Sequence, residues 1–374
     1  MKKLYFTLTL IFVFLFSFSQ SGLRIAQNSN NQSVGNRLEL AQASPENELE
    51  NSINRPELNQ SPFDAVKGKK EDESKRDAYS RHYINDDGSY TAIIGAGPMH
   101  YFNLNNGWNT PIAEENIQIM VKKLGFDYYE YKMDWQEFKE IQLAFFKSSI
   151  VDLEIPTDLA ILGANYEIAK KFKIPSILSG GNFAAEGILP LTWGYHVKSD
   201  MKLYRHIVKN YSKIKIKKTP YAGLKENFIN KFIYGTKTYY PLNYINFDKD
   251  KARNFLIETY GFKEYGGKHQ ESTITGFLQS YVMPVKYNMD YRRATLSSQI
   301  CNGQVRRDQA LKILETKPYD DEKIIKDKAF ICEKWEINEN EFDKYLKLPP
   351  KTYKNFPNQE KLISRLFRLY KMFS

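Results

Sequence analysis

Cysteine is nearly absent from this chain of 374 residues, which contains Cys301 and Cys332 and no others. There is no C-x-x-C pair, which argues against a cysteine-based zinc knuckle, and no disulfide framework is indicated. Long apolar runs are also scarce. The stretch from Leu4 to Phe16 is short for a membrane span. A complete dinucleotide fingerprint is missing as well. Gly95-Ala96-Gly97 leads into Pro98 and His100 and then an aromatic, strand-like run, without the third glycine and the helix that the fingerprint requires. Aromatic residues almost vanish between residues 21 and 79, which are rich in Asn, Ser, Gln and Glu. Too little apolar surface is available there to offset the entropy of ordering, so residues 20–79 are expected to be disordered.

The chain is otherwise of ordinary globular composition, with 42% hydrophobic and 26% charged residues. Its net charge is +10. That balance favours anionic partners such as nucleotides, phosphorylated sugars, nucleic acid or anionic membrane; a Lys-rich surface kept for solubility would give the same number. The first residues, "MKKLYFTLTLIFVFLFSFSQ", place Lys2 and Lys3 before the apolar run, with small Ser17 and Ser19 after it. This is the layout of a secretory signal peptide over residues 1–19, and it implies export. Residues 80–106 read as three strands separated by an Asp-Asp-Gly turn and a Gly/Pro turn.

After Gly107 the pattern changes to helices alternating with strands. Residues 111–125 place Ile112, Ile117, Met120, Val121 and Leu124 on one helical face, closed by Gly125. Residues 126–134 alternate as a strand, and residues 135–149 form an amphipathic helix. Residues 157–172 form a third helix with Thr157 or Asp158 as N-cap. "IPSILSG" (174–180) is a short apolar strand stopping at glycines. Apolar strands separated by helices predict an α/β fold whose parallel sheet is covered on both faces. Ligands on such sheets sit at the carboxyl ends of strands, where Ser179-Gly180-Gly181-Asn182 lies. Three helices are expected beyond residue 318, the last of them basic and suited to a partner or a membrane surface.

Several residues could carry chemistry. Gly180 and Gly181 would let a ligand approach the backbone; Asn182 is alternatively the N-cap of a following helix. Asp158 is either a site carboxylate or an N-cap. Trp193, Tyr195 and His196 form an aromatic group that could stack on adenine or a sugar, or pack internally. Lys268 and His269, after Gly266-Gly267 and before a helix, make an anion site. Arg292 and Arg293 suit phosphates, while Arg306 and Arg307 also fit a solvated basic face. "SKIKIKK" (212–218) reads as a charged edge strand. Residues 196–240 hold eleven Lys/Arg against two acidic residues, an electropositive flank.

Five blocks, in order, carry a family resemblance: "GWNTPIAEENIQ", "DWQEFKEIQLAFFKSSIVDLEIPTDLAI", "ILSGGNFAAEGILPLTWGY", "YGGKHQESTITGFLQSYVMPVKYNMDYRRATLSSQICNGQVRRDQAL" and "LPPKTY". From Gly107 to Pro357 the sequence resembles the N-acetyl sugar amidotransferases of the PP-loop ATPase superfamily. The resemblance implies a Rossmann-like parallel sheet of the PP-loop (adenine nucleotide alpha hydrolase-like) type over residues 107–250. A helical region for substrate or partner would follow over 251–374. It implies that ATP adenylates a sugar acetamido oxygen, and that ammonia from a separate glutaminase displaces AMP to leave an acetamidino group in surface polysaccharide biosynthesis. The substrate would be a nucleotide- or lipid-linked N-acetylated sugar, and no nucleic acid is implied. Asp158, Glu186, Lys268 and His269 would be catalytic; Ser179, Gly180, Gly181, Asn182, Arg292 and Arg293 would bind ATP, with Mg²⁺ at Glu186. The family's first phosphate loop, Ser-Gly-Gly-x-Asp-Ser, has no counterpart, because the SGG at 179–181 continues as Asn182-Phe183. The cysteine-rich start is missing too. The chain therefore reads as a truncated enzyme fused near residues 100–107 to an exported segment, with a cytoplasmic family and an export signal in conflict. A secreted or surface-associated glycan-binding protein without catalysis is the alternative.

Overall fold

A computed structural model of the chain describes residues 70–71, 80–84, 90–94, 100–124, 127–187, 189–245, 247–266 and 269–373. The expected signal peptide, the Gly95-Ala96-Gly97 turn and nearly all of the expected disordered segment lie outside these residues. The chain divides into two compact units, one holding residues 102–125 and 129–374, the other residues 25–101 and 126–128.

The smaller unit contains strands β1 (Lys70–Glu71), β2 (Ser80–Ile84) and β3 (Tyr90–Ile94) in an antiparallel sheet ordered β1-β2-β3. Ser80 pairs with Ile94 and Ile84 with Tyr90, the register of a hairpin.

The larger unit is mostly helical. Its centre is α2 (Trp135–Ser148). Asp134 caps it by accepting the Glu137 N–H, and Ser149, at φ +59, closes it in the left-handed conformation. The sequence predicts one apolar stripe here, but the helix is buried on nearly every side. Phe138, Ile141, Phe145 and Phe146 are at most 1% exposed, and Glu137, Lys139 and Gln142 are buried with them. Each buried polar group has a partner. Glu137 accepts the backbone N–H groups of Lys217, Lys218 and Thr219 at 2.6–3.1 Å. Lys139 pairs with Glu336, and Gln142 accepts the indole N–H of Trp108 at 2.7 Å. Helical periodicity fails at this element because polar residues sit on a buried face.

Helices α3 (Ile155–Lys171), α4 (Met201–Tyr211), α5 (Leu224–Phe232) and α6 (Lys249–Phe255) follow along the chain. A continuous helical stretch comes next: α7 (Thr273–Phe277), a π-helical turn (Leu278–Val282) and α8 (Met283–Tyr287). Beyond it are α9 (Arg292–Cys301), α10 (Arg307–Glu315), α11 (Asp321–Trp335), α12 (Glu339–Lys347) and α13 (Glu360–Phe373). Leu203, Tyr204 and Ile207 of α4, Phe277 of α7, Trp335 of α11 and Phe342 of α12 join α2 in one core. The three C-terminal helices fall where the sequence places them.

Helix α1 (Pro111–Leu124) forms, and its buried face matches the one read in the sequence only in part, with Ile117, Met120 and Val121 half-buried. Ala113 and Asn116 are buried while Ile112 and Leu124 are exposed. Asn116 turns inward because its side-chain amide exchanges two hydrogen bonds with the Lys263 backbone, both at 2.8 Å.

The β-structure of this unit is small. Strand β5 (Asp127–Lys132) pairs with β4 (His100–Asn105). Strand β6 (Ser176–Leu178) pairs in parallel with β7 (Lys237–Tyr239). Parallel pairing in an α/β chain is as predicted. The expectation of a sheet covered on both faces is not met, because Leu178 and Tyr239 are 61% and 44% exposed. The expected edge strand at 212–218 is a loop. Its backbone N–H groups bond the Glu137 carboxylate, and Ile214 and Ile216 pack on the core. Alternation of Lys and Ile therefore encodes a tethered loop here, with no strand partner.

A carboxylate and lysine cluster under an aromatic wall as the candidate functional site

The segment "SIVDLEIPTD" (149–158) joins α2 to α3. It alternates apolar and acidic residues. Val151, Leu153 and Ile155 enter the core, and the backbone is pinned by bonds from Val151 N–H to the Lys351 carbonyl and from Lys351 N–H to the Ser149 carbonyl, both 2.9 Å. Asp152 and Glu154 are thereby held beside the first turn of α3, which carries Asp158. Helix α3 starts at Ile155 with Pro156 in its first turn, two residues earlier than predicted. Its N-cap is Glu154, so neither Thr157 nor Asp158 caps it, and the Asp158 side chain remains available to the site.

Lys198 reaches into this cluster from the segment before α4. Its ammonium contacts the Asp158 carboxylate directly and lies 3.7 Å from Asp152. Asp152 is 2% exposed, whereas the side chains of Lys198 and Asp158 are 38% and 41% exposed and form the mouth. Burial pushes the Asp152 carboxyl up to about 6, against the pull of Lys198. Burial, then the Asp158 charge, pushes Glu154 up to about 8. Thr275 donates its hydroxyl to Glu154 at 3.3 Å. Burial disfavours the Lys198 charge, but Asp152 and Asp158 outweigh it and hold the lysine well above its ordinary value. A neutral acid, an accessible carboxylate and a fixed cation thus lie together, a set that can donate, accept and move protons near pH 7.

Aromatic rings wall the cluster. Trp193 lies 6.4 Å from Tyr195 and 6.1 Å from Tyr291 between ring centroids. Burial raises the Tyr291 phenol to about 12; Lys198 opposes this, and the charges of Asp152, Asp158 and Glu186 add to it. Tyr195 is raised well above its ordinary value by burial and then by Asp152. Gly194, at φ +72, sits between Trp193 and Tyr195, and a Cβ there would lie 2.5 Å from the Thr352 methyl group. Glycine is needed for both the backbone angle and the close approach.

The remaining sequence-predicted residues are distributed as follows. Asp158 is in the cluster, and Glu186, exposed, influences it through Tyr291. His196 is a packing residue: it stacks on Tyr353 at 4.3 Å and bonds Asp200 at 3.1 Å. Arg292 is committed to Asp290 and to the Thr316 carbonyl, so it is a structural tie and no phosphate fork. Arg293 is exposed on α9, and Arg306 pairs with Asp308 on a solvated face. Lys268 lies outside the described residues. His269 adopts φ +65, with its ring nitrogen 3.5 Å from Glu271, and precedes the Ser272 cap of α7. Sequence reading missed Asp152, Glu154, Lys198 and Tyr291. The Asp-x-Glu-x-x-x-Asp spacing of residues 152–158 was the available signal.

The Ser179–Glu186 turn does not fit a phosphate grip. No helix follows it, so Asn182 is not a helix N-cap. The N–H of Gly181 goes to the Ser179 hydroxyl, that of Phe183 to the Asn243 side chain, that of Ala185 to the Asn182 side chain and that of Glu186 to the Asn182 carbonyl. A Cβ at Gly181 would lie 3.1 Å from the Tyr240 ring, while Gly180 faces open space. Among the described residues no group of three or more His, Cys, Asp or Glu could hold a metal ion. The Lys198 ammonium already occupies the Asp158 carboxylate at the mouth of the acidic cluster, where a cation would have to enter.

A search of curated proteins finds no match to this chain. Residues 271–371 match the family model described as LPS biosynthesis protein WbpG-like, C-terminal domain. The matched span takes in most of the fourth sequence block and all of the fifth, including Thr275, Tyr291 and Thr352, which touch the site. This C-terminal part of the chain is related to a family of LPS biosynthesis proteins.

Proposed function

We propose that this chain acts in LPS biosynthesis by holding an N-acetylated sugar, nucleotide- or lipid-linked, against the Trp193, Tyr195 and Tyr291 wall. The juxtaposition of that wall with Asp158, Glu154 and Lys198 carries the reading. Aromatic faces suit the apolar faces of a sugar ring, and accessible carboxylates suit its hydroxyl groups. Glu154, raised to about 8, keeps its proton at pH 7 and can donate it in a hydrogen bond to an acetamido carbonyl. The finer assignment is to the sugar side of an N-acetyl sugar amidotransferase reaction, with a separate glutaminase supplying ammonia. In that reaction ATP and Mg²⁺ activate the amide oxygen. Since the turn at 179–186 spends the N–H groups of Gly181, Phe183, Ala185 and Glu186 on protein acceptors, no step of that activation is assigned to this chain.

A second reading, glycan binding without catalysis, is favoured by the same occupied turn. Titration of the full chain with UDP-N-acetylglucosamine and with UDP-glucose tests the shared claim. The expected result is preference for the acetamido sugar by about tenfold or more, the worth of one well-placed hydrogen bond. Equal affinity, or no binding of either, would contradict it.

A further inference from the structure

The parallel pair β6–β7 has two ends. Ser179–Gly181 lies at the carboxyl end. The opposite end is where α3 runs into β6 and α5 runs into β7. There Phe172, Ile233 and Tyr234 are 39%, 67% and 48% exposed. Lysines surround them. Lys170 lies 5.0 Å over the Tyr234 ring and so joins the two helix ends into one surface. Lys171 lies 4.6 Å over the Tyr129 ring and 5.2 Å over Phe172. Lys173 and Lys237 are exposed beside them at the starts of the two strands.

Several lysines elsewhere on the molecule are tied up in ion pairs. Lys263, Lys317, Lys323 and Lys328 are each paired with a carboxylate. Among the described residues, Lys170, Lys171, Lys173 and Lys237 make no ion pair. The nearest carboxylate on α3, Glu167, is occupied as acceptor of the Tyr131 hydroxyl at 2.9 Å. A surface kept only for solubility has no need of exposed isoleucine and aromatic rings amid its cations.

We infer that this edge docks on the surface of an anionic phospholipid bilayer. Tyrosine, phenylalanine and isoleucine suit the headgroup boundary, and lysine stems can lie along them while their ammonium groups reach lipid phosphates. Among the described residues no helix is long and apolar enough to cross a membrane. The contact is peripheral, and it leaves the carboxyl end of the sheet facing away from the lipid.

Co-sedimentation of the full chain with vesicles tests this. Binding to mixed phosphatidylcholine/phosphatidylglycerol vesicles is expected, with a loss of about tenfold or more on pure phosphatidylcholine or at high salt. Ile233→Glu and the double variant Lys170→Glu/Lys171→Glu should each reduce binding by a similar factor. All three side chains are on the surface, and unchanged thermal unfolding will confirm that the variants fold. Leu362→Glu, on the exposed side of α13, should leave binding unaltered. Absence of vesicle binding would overturn the inference. So would binding lost with Leu362→Glu and retained in the edge variants, which would move the contact to α13. Salt-sensitive capture of an acidic protein, with no binding to vesicles, would assign the edge to a protein partner and overturn it equally.

Discussion

At the scale of single residues, Lys198 is the one on which the site depends. Its removal leaves Asp152 buried without a counter-charge. Breaking a fully buried pair costs about 3–5 kcal/mol; with its side chain 38% exposed, Lys198→Met should cost about 2–3 kcal/mol in urea unfolding at pH 7. Lowering the pH to protonate Asp152, raised to about 6, should recover part of that loss. Glu154 makes a separate prediction. Its carboxyl rises from 4.5 unfolded to about 8 folded, so the folded chain binds the proton more tightly between those values. Stability from this group is full below pH 4.5 and falls as pH climbs toward 8. Glu154→Gln should flatten that decline, which thermal unfolding across the pH range would read as a shift on the order of several degrees. Asp158 could be picked out of the sequence because it follows a proline at a helix start. Lys198 could not, because a lysine 40 positions away in a lysine-rich stretch looks like solvated surface until the fold brings it to Asp158.

At the scale of elements, helix positions were readable but their buried faces were not. The extent of α2 follows from its apolar spacing, which carries no sign that Glu137 and Lys139 are buried. Glu137 ties the loop 217–219 to the core helix. Burial opposes its charge, but the N–H groups of Thr219, Lys217 and Lys218 hold its carboxyl below the usual range. Glu137→Gln would set an amide donor against those N–H donors. A loss of about 2–3 kcal/mol is expected at neutral pH, shrinking as pH falls through the carboxylate range. Helix α3 carries a second such constraint. A Cβ at Gly163 would lie 2.4–2.7 Å from the Tyr221 backbone. Gly163→Ala should therefore lower the melting temperature despite the better helix propensity of alanine, because backbone at that distance has to move.

At the scale of the whole molecule, the alternation of helices and strands was legible and the extent of the sheet was not. Strand β5 pairs with β4, and β6 of "IPSILSG" finds a single parallel partner in β7, so apolar strand character did not translate into a covered sheet. Periodicity reports which residues are apolar, and the pairing partner is set by long-range contacts that single-sequence patterns do not carry. The occupied N–H groups of the 179–186 turn make a prediction at this scale. The full chain, given ATP, Mg²⁺ and an N-acetylated sugar nucleotide, should release no AMP and pyrophosphate above background. Robust AMP formation would require a phosphate grip elsewhere in the chain.

The most direct test of sugar recognition at the cluster is calorimetric titration of UDP-N-acetylglucosamine into the wild-type chain and into Trp193→Ala and Asp158→Asn variants. The account predicts saturable binding to the wild type and about tenfold or greater weakening in each variant, with folding intact. Equal affinity in all three chains would place sugar binding away from the Trp193 wall and the Asp158–Lys198 pair, and would contradict the account.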